Sequence, residues 1–82
     1  MSMPEVSNFK RFDVRALIRN GEEPFPQIME RIRGLKPETG LIIVAPFLPS
    51  PLIERLRSEG YSSKFERGSG PDWMVYVWRE TT

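Results

Sequence analysis

Four charged side chains have types and spacing that chemistry could use: Asp13, Arg15, Arg19 and Glu23. Asp13 and Glu23 are a pair of carboxylates, the minimum for general acid–base work. Arg15 and Arg19 are a pair of guanidiniums, which can clamp an anion through fixed forks of N–H donors. Each also has a plainer reading. Asp13 at a strand end ties down loop N–H groups or pairs with an arginine. Glu23 ahead of a helix is favoured by the positive end of the helix dipole. Loop arginines are ordinarily solvated. The plainer readings weigh more, because the chain has no histidine and no cysteine. That composition removes thiolate nucleophiles, Ser-His-Asp triads and zinc sites built from Cys or His. No catalytic residue, metal or cofactor is expected.

The rest of the sequence supplies the elements that must hold these residues. Met1–Asn8 reads as a flexible tail, and residues 9–80 as a single domain. Phe9–Arg15 alternates, with Phe12 and Val14 on one parity and Arg11, Asp13 and Arg15 on the other, which predicts a strand with one wet face. Ile18–Glu23, with Asn20-Gly21, reads as a loop. Pro24–Arg33 places Phe25, Ile28, Met29 and Ile32 on one helical stripe. Pro24 and Pro26 suit the first turn, where a missing N–H costs nothing. Gly34 fits a left-handed cap. Leu41–Ala45 is apolar at every position, as in a strand covered on both faces. Ser50 and Pro51 open a second helix with Leu52, Ile53 and Leu56 buried, and Gly60 ends it. Tyr61–Glu66 and Trp73–Arg79 are two further strands, joined through Gly68–Asp72.

The order is β-α-β-α-β-β. It implies an α/β two-layer sandwich: a four-stranded mixed sheet with two helices on one face. Parallel first and second strands bring their carboxyl ends to one sheet edge, where ligands of open α/β sheets bind. Two loops converge there, Arg15–Glu23 and Pro46–Ser50. Helix N-termini at that edge, with Arg15 and Arg19, favour a small anionic ligand, whereas Glu22 and Glu23 oppose it. Phe47, between Pro46 and Pro49, is either an anchor for a partner or a plug for the core.

Phe12-Asp13, Glu23-Pro24-Phe25-Pro26, Leu35-Lys36-Pro37-Glu38-Thr39-Gly40 and the apolar strand after it resemble the TusA/SirA-like proteins, small βαβαββ sulfur carriers. The resemblance covers about Phe9 to Arg79. It is closest to an uncharacterised branch that lacks the cysteine of the Cys-Pro-x-Pro motif, of which Asp13-Val14-Arg15 and Ala45-Pro46-Phe47-Leu48-Pro49 look typical. Members of that branch are found near hemerythrin-like domains or respiratory nitrogen-oxide genes, which implies a redox or respiratory setting. Glu23 stands where the sulfur-accepting cysteine would be. A carboxylate cannot hold a persulfide, so this chain does not carry sulfur itself. Pro24, Phe25 and Pro26 carry over as the frame of the helix start.

The sheet face away from the helices has Met74, Tyr76 and Trp78 on one parity of the last strand, or Trp73, Val75 and Val77 on the other. An exposed apolar face of this kind marks an interface for a protein partner or a second copy. Neighbouring Arg11, Lys64 and Glu66 could instead cover it with their stems. The expected function is a non-catalytic binding or adaptor module. The alternatives are an enzyme using Asp13, Glu23 and Arg15 on a small anion, or an RNA-binding sheet with Tyr76 and Trp78 stacking bases. With 82 residues and a net charge of +1, nucleic acid is disfavoured. No apolar run approaches a membrane span and no signal peptide is visible, so a cytoplasmic location is expected.

Overall fold

The computed structural model describes residues 3–68 and 70–79. Met1 and Ser2 of the expected tail, Ser69 of the expected hairpin and the domain limit at Glu80 lie outside the described residues. A short 3-10 helix at Val6–Asn8 leads into β1 (Phe9–Asp13) and α1 (Arg15–Arg19). Then come α2 (Phe25–Arg33), β2 (Gly40–Ala45), α3 (Ser50–Ser58), β3 (Tyr61–Arg67) and β4 (Trp73–Arg79). The sheet order is β1-β2-β4-β3. β1 and β2 are parallel, and the two pairings made by β4 are antiparallel. The two-layer α/β sandwich with a mixed sheet and helices on one face is therefore the observed architecture.

The helix-side core follows from side-chain parity. Leu41, Ile43 and Ala45 of β2 and Val75 and Val77 of β4 point to the helices. They meet Ile28, Met29 and Ile32 of α2 and Leu52, Ile53 and Leu56 of α3. Ile32, Ile43 and Leu56 are fully buried. α2 begins with Pro24 at the N-cap and Pro26 in its first turn, and both prolines fit because the first-turn N–H groups have no intrahelical acceptor. Pro49, rather than Ser50, is the N-cap of α3, and it makes no side-chain cap bond.

Three local expectations are corrected. β1 ends at Asp13 rather than Arg15, although the Val14 N–H still donates to the Val44 carbonyl at 3.0 Å. At Val14 the backbone turns to ψ 7°, so this buried residue becomes the N-cap of α1, a helix within the segment read as a loop. Leu17 and Ile18 of α1 pack against the core, which rewards one helical turn there. Gly34 has φ −89° and is not left-handed, whereas Glu38, with φ 67°, turns the chain ahead of β2. Ahead of β1, Met3 packs on the far sheet face and Val6–Asn8 forms the short 3-10 helix.

Among the described residues no α-helix covers that far face, as expected. Its centre holds Ile42 and Val44 of β2 with Tyr76 and Trp78 of β4, flanked by Met3, Phe9 and Met74. These coverings leave Tyr76 8% and Trp78 9% exposed. The apolar patch expected from the sequence is thus largely covered from within the chain, and Lys64 and Glu66 form an exposed ion pair beside it on β3. The Phe9 ring stands edge-on to Tyr76 at 5.6 Å and to Trp78 at 6.3 Å. It fills the space over Gly40, where a Cβ would meet the ring at 2.3 Å. Gly40 is therefore the residue that admits Phe9. Trp78 Nε1 is buried with no acceptor among the described residues, a cost of about 1–3 kcal/mol that the surrounding apolar contacts must offset.

Candidate functional site

The carboxyl ends of β1 and β2 share one edge, with Asp13 paired to Val44. At Asp13 the chain makes a compact polar corner. Its Oδ1 accepts the backbone N–H of Arg15 at 3.0 Å, which satisfies the first free donor of α1. The Arg15 side chain then folds back, and Nε donates to Asp13 Oδ1 at 2.9 Å and to Oδ2 at 3.1 Å. The same guanidinium bridges to Asp72, the residue before β4, across the end of β2. Both plain readings of Asp13 hold at once: it ties a loop N–H and it pairs with an arginine. Hydrogen bonding to the Arg15 side chain holds the Asp13 carboxyl down at about 2. The Asp13 and Asp72 hydrogen bonds raise the Arg15 pKa in turn.

Beside this corner lies a cavity of about 440 Å³. Its floor is core: Val14, Ile28, Ile43, Ala45 and Leu52 are buried side chains that also line it. Ile18 of α1 and Phe25 of α2 form walls, and Phe47, 51% exposed, stands on the rim. The charged residues of the lining are Glu22 and Glu23. Glu23 Oε1 also accepts the Phe25 N–H at 3.4 Å, a long bond at the start of α2. The two loops expected to converge do so, but what they enclose is apolar.

The named residues separate accordingly. Glu23, Pro24, Phe25 and Phe47 line the cavity. Asp13 and Arg15 are bound to each other at its edge. Arg19 ends α1, exposed and outside the lining. Pro26 faces an outer groove with Gln27, Glu30 and Arg33, and Pro46 is half-buried outside the cavity. Tyr76 and Trp78 lie on the far sheet face, buried, and present no ring for a base to stack on. The sequence reading missed Asp72, which lies 57 positions from Arg15 along the chain. It also missed the cavity floor, because Val14, Ile43, Ala45 and Leu52 signal core burial and nothing in their order signals a gap above them. Among the described residues no cluster of acidic side chains could hold a metal ion. No helix among them is long and apolar enough to cross a membrane.

One family profile matches residues 11–79, and its description is "Uncharacterized conserved protein (DUF2249)". The chain belongs to the DUF2249 family. This corrects the expected assignment to the TusA/SirA-like proteins, and with it the sulfur-carrier relationship and the redox or respiratory setting drawn from that assignment. The residues behind the resemblance are explained by structure alone. Pro24 and Pro26 are a helix start, and Asp13 is a cap and ion-pair partner. Neither requires a carrier thiol in its history. No curated protein and no solved structure matches this DUF2249 chain.

Proposed function

We propose that this DUF2249 domain is a binding module, not an enzyme, whose cavity takes the apolar ring of a small amine. The observation that carries the proposal is the cavity itself: about 440 Å³, floored by core side chains, with Glu22 and Glu23 as its charged lining. Ligand pockets are typically a few hundred Å³, mostly apolar, with few polar groups to fix orientation. The rim carboxylates suit a cationic end. They replace the anionic ligand suggested by Arg15 and Arg19, because Arg15 is already engaged by Asp13 and Asp72 and Arg19 lies outside.

What favours binding over catalysis is the state of the polar corner. A carboxylate held near 2 is a poor proton carrier at neutral pH. The enzymatic alternative thereby loses Asp13 and Arg15 of its trio. A reducing, cytoplasmic setting suits a chain without cysteine.

The test is titration with two probes that share one ring, tryptamine and indole-3-acetate, followed by calorimetry or NMR. Tryptamine is expected to bind more tightly. Phe47→Ala should weaken it roughly tenfold, the scale of one lost aromatic contact. Glu22→Gln with Glu23→Gln should abolish the preference between probes. Equal or tighter binding of indole-3-acetate by the unaltered protein would contradict the proposal, as would an unaffected Phe47→Ala variant.

A further inference from the structure

A second depression, of about 410 Å³, lies between β1, the carboxyl end of α2 and the loop that precedes β2, at the end of the sheet opposite the apolar cavity. Its charged lining is Lys10, Arg31 and Lys36, with no carboxylate among the lining residues. This is unusual for a chain with 12 basic and 11 acidic residues. Arg15, Arg55 and Lys64 each have a carboxylate partner. Lys10, Arg31 and Lys36 have none among the described residues. Three like charges around one groove repel each other, and a bound anion relieves that repulsion.

The groove is also shaped for an oxyanion. The Arg31 guanidinium lies 4.0 Å from the centre of the Phe12 ring. Stacking of this kind fixes the plane of the fork and leaves its N–H edge free for oxygen acceptors. The Asn8 amide, also in the lining, has no side-chain hydrogen bond among the described residues and adds a neutral donor. The carboxyl end of the α2 dipole opposes an anion with about half a charge, which three cations outweigh. Leu41, buried, and Leu35, half-buried, add apolar surface.

We propose that this groove binds a phosphate monoester dianion carried on a compact apolar body. Arg31 provides the fork, Lys10 and Lys36 provide the remaining charge, and Leu35 and Leu41 meet the apolar body. The site is independent of the amine cavity, so each can fail without the other.

The experiment titrates the full chain with phenyl phosphate and with inorganic phosphate at matched ionic strength, with sodium chloride as the blank, and follows backbone amides by NMR. Saturable shifts at Lys10, Arg31 and Lys36 are expected, with phenyl phosphate the tighter ligand. Lys10→Ala and Lys36→Ala should each weaken binding roughly three- to fivefold, the scale of one exposed charge contact. Lys64→Ala, on the far sheet face, should leave it unchanged. Three results would overturn the proposal: chloride reproducing the shifts, Lys64→Ala weakening binding as much as Lys10→Ala, or inorganic phosphate binding as tightly as phenyl phosphate.

Discussion

Arg15 is held by two carboxylates from distant parts of the chain, Asp13 beside it and Asp72 ahead of the last strand. The pairing has a pH signature. Asp13 is depressed from 3.8 to about 2 chiefly by the Arg15 hydrogen bonds. A depressed carboxyl stabilises the fold fully above its unfolded value, and that contribution is lost as the pH falls through the folded value. Its contribution therefore disappears between about pH 4 and pH 2. Unfolding free energy measured across that window should fall more steeply in the unaltered protein than in Asp13→Asn. Parallel curves would show that the corner contributes nothing. Phe9 and Gly40 give a second prediction at this scale. Gly40→Ala pushes a methyl into the Phe9 ring and should cost roughly 1–3 kcal/mol in urea unfolding, as overpacking does. In a Phe9→Ala background the same substitution should cost much less, because the clash has gone. Equal penalties in both backgrounds would remove the ring from the explanation.

At the scale of elements, α2 and β2 depend on one another. Ile32 is fully exposed in no direction: its accessible surface is 0%, and it packs with the β2 residues in the helix-side core. Ile32→Ala should cost about 2–5 kcal/mol, whereas exposed Glu30→Ala on the same helix should change little. Comparable losses in the two variants, read by thermal unfolding, would place the core elsewhere.

The legibility of the fold follows the same logic. Strands and helices with several turns or alternations to display them were readable, as the α2 stripe and the all-apolar β2 show. α1 was not, because its five residues make fewer than two turns and the alternation of Phe12 and Val14 runs on into its N-cap. The last strand is apolar on both parities, so its sequence left open whether Met74, Tyr76 and Trp78 or Trp73, Val75 and Val77 form the far face, and it showed nothing of the Met3 and Phe9 side chains that cover it. That covering comes from chain direction ahead of β1, which no local pattern encodes. The site was half legible. Loop convergence followed from parallel β1 and β2, whereas the cavity depends on how far α1 stands from Ala45 and Leu52, a distance that periodicity does not contain.

The whole molecule places two unlike depressions at opposite ends of one sheet. The carboxyl ends of β1 and β2 open on an apolar cavity with acidic rim residues, and the other end opens on a basic groove. The charges that would blur this division are consumed locally, Arg15 at the first end and Arg55 against Glu59 on α3. A near-neutral chain thus presents two local fields of opposite sign. The DUF2249 match, residues 11–79, takes in the whole lining of the cavity and all of the groove's lining except Asn8 and Lys10.

The most direct measurement is an intermolecular NOE experiment on methyl-labelled protein with bound tryptamine. Contacts are expected from the indole ring to the methyls of Ile18, Ile28 and Leu52, which line the cavity. Contacts to Ile42 and Val44 instead, on the far sheet face, would contradict it.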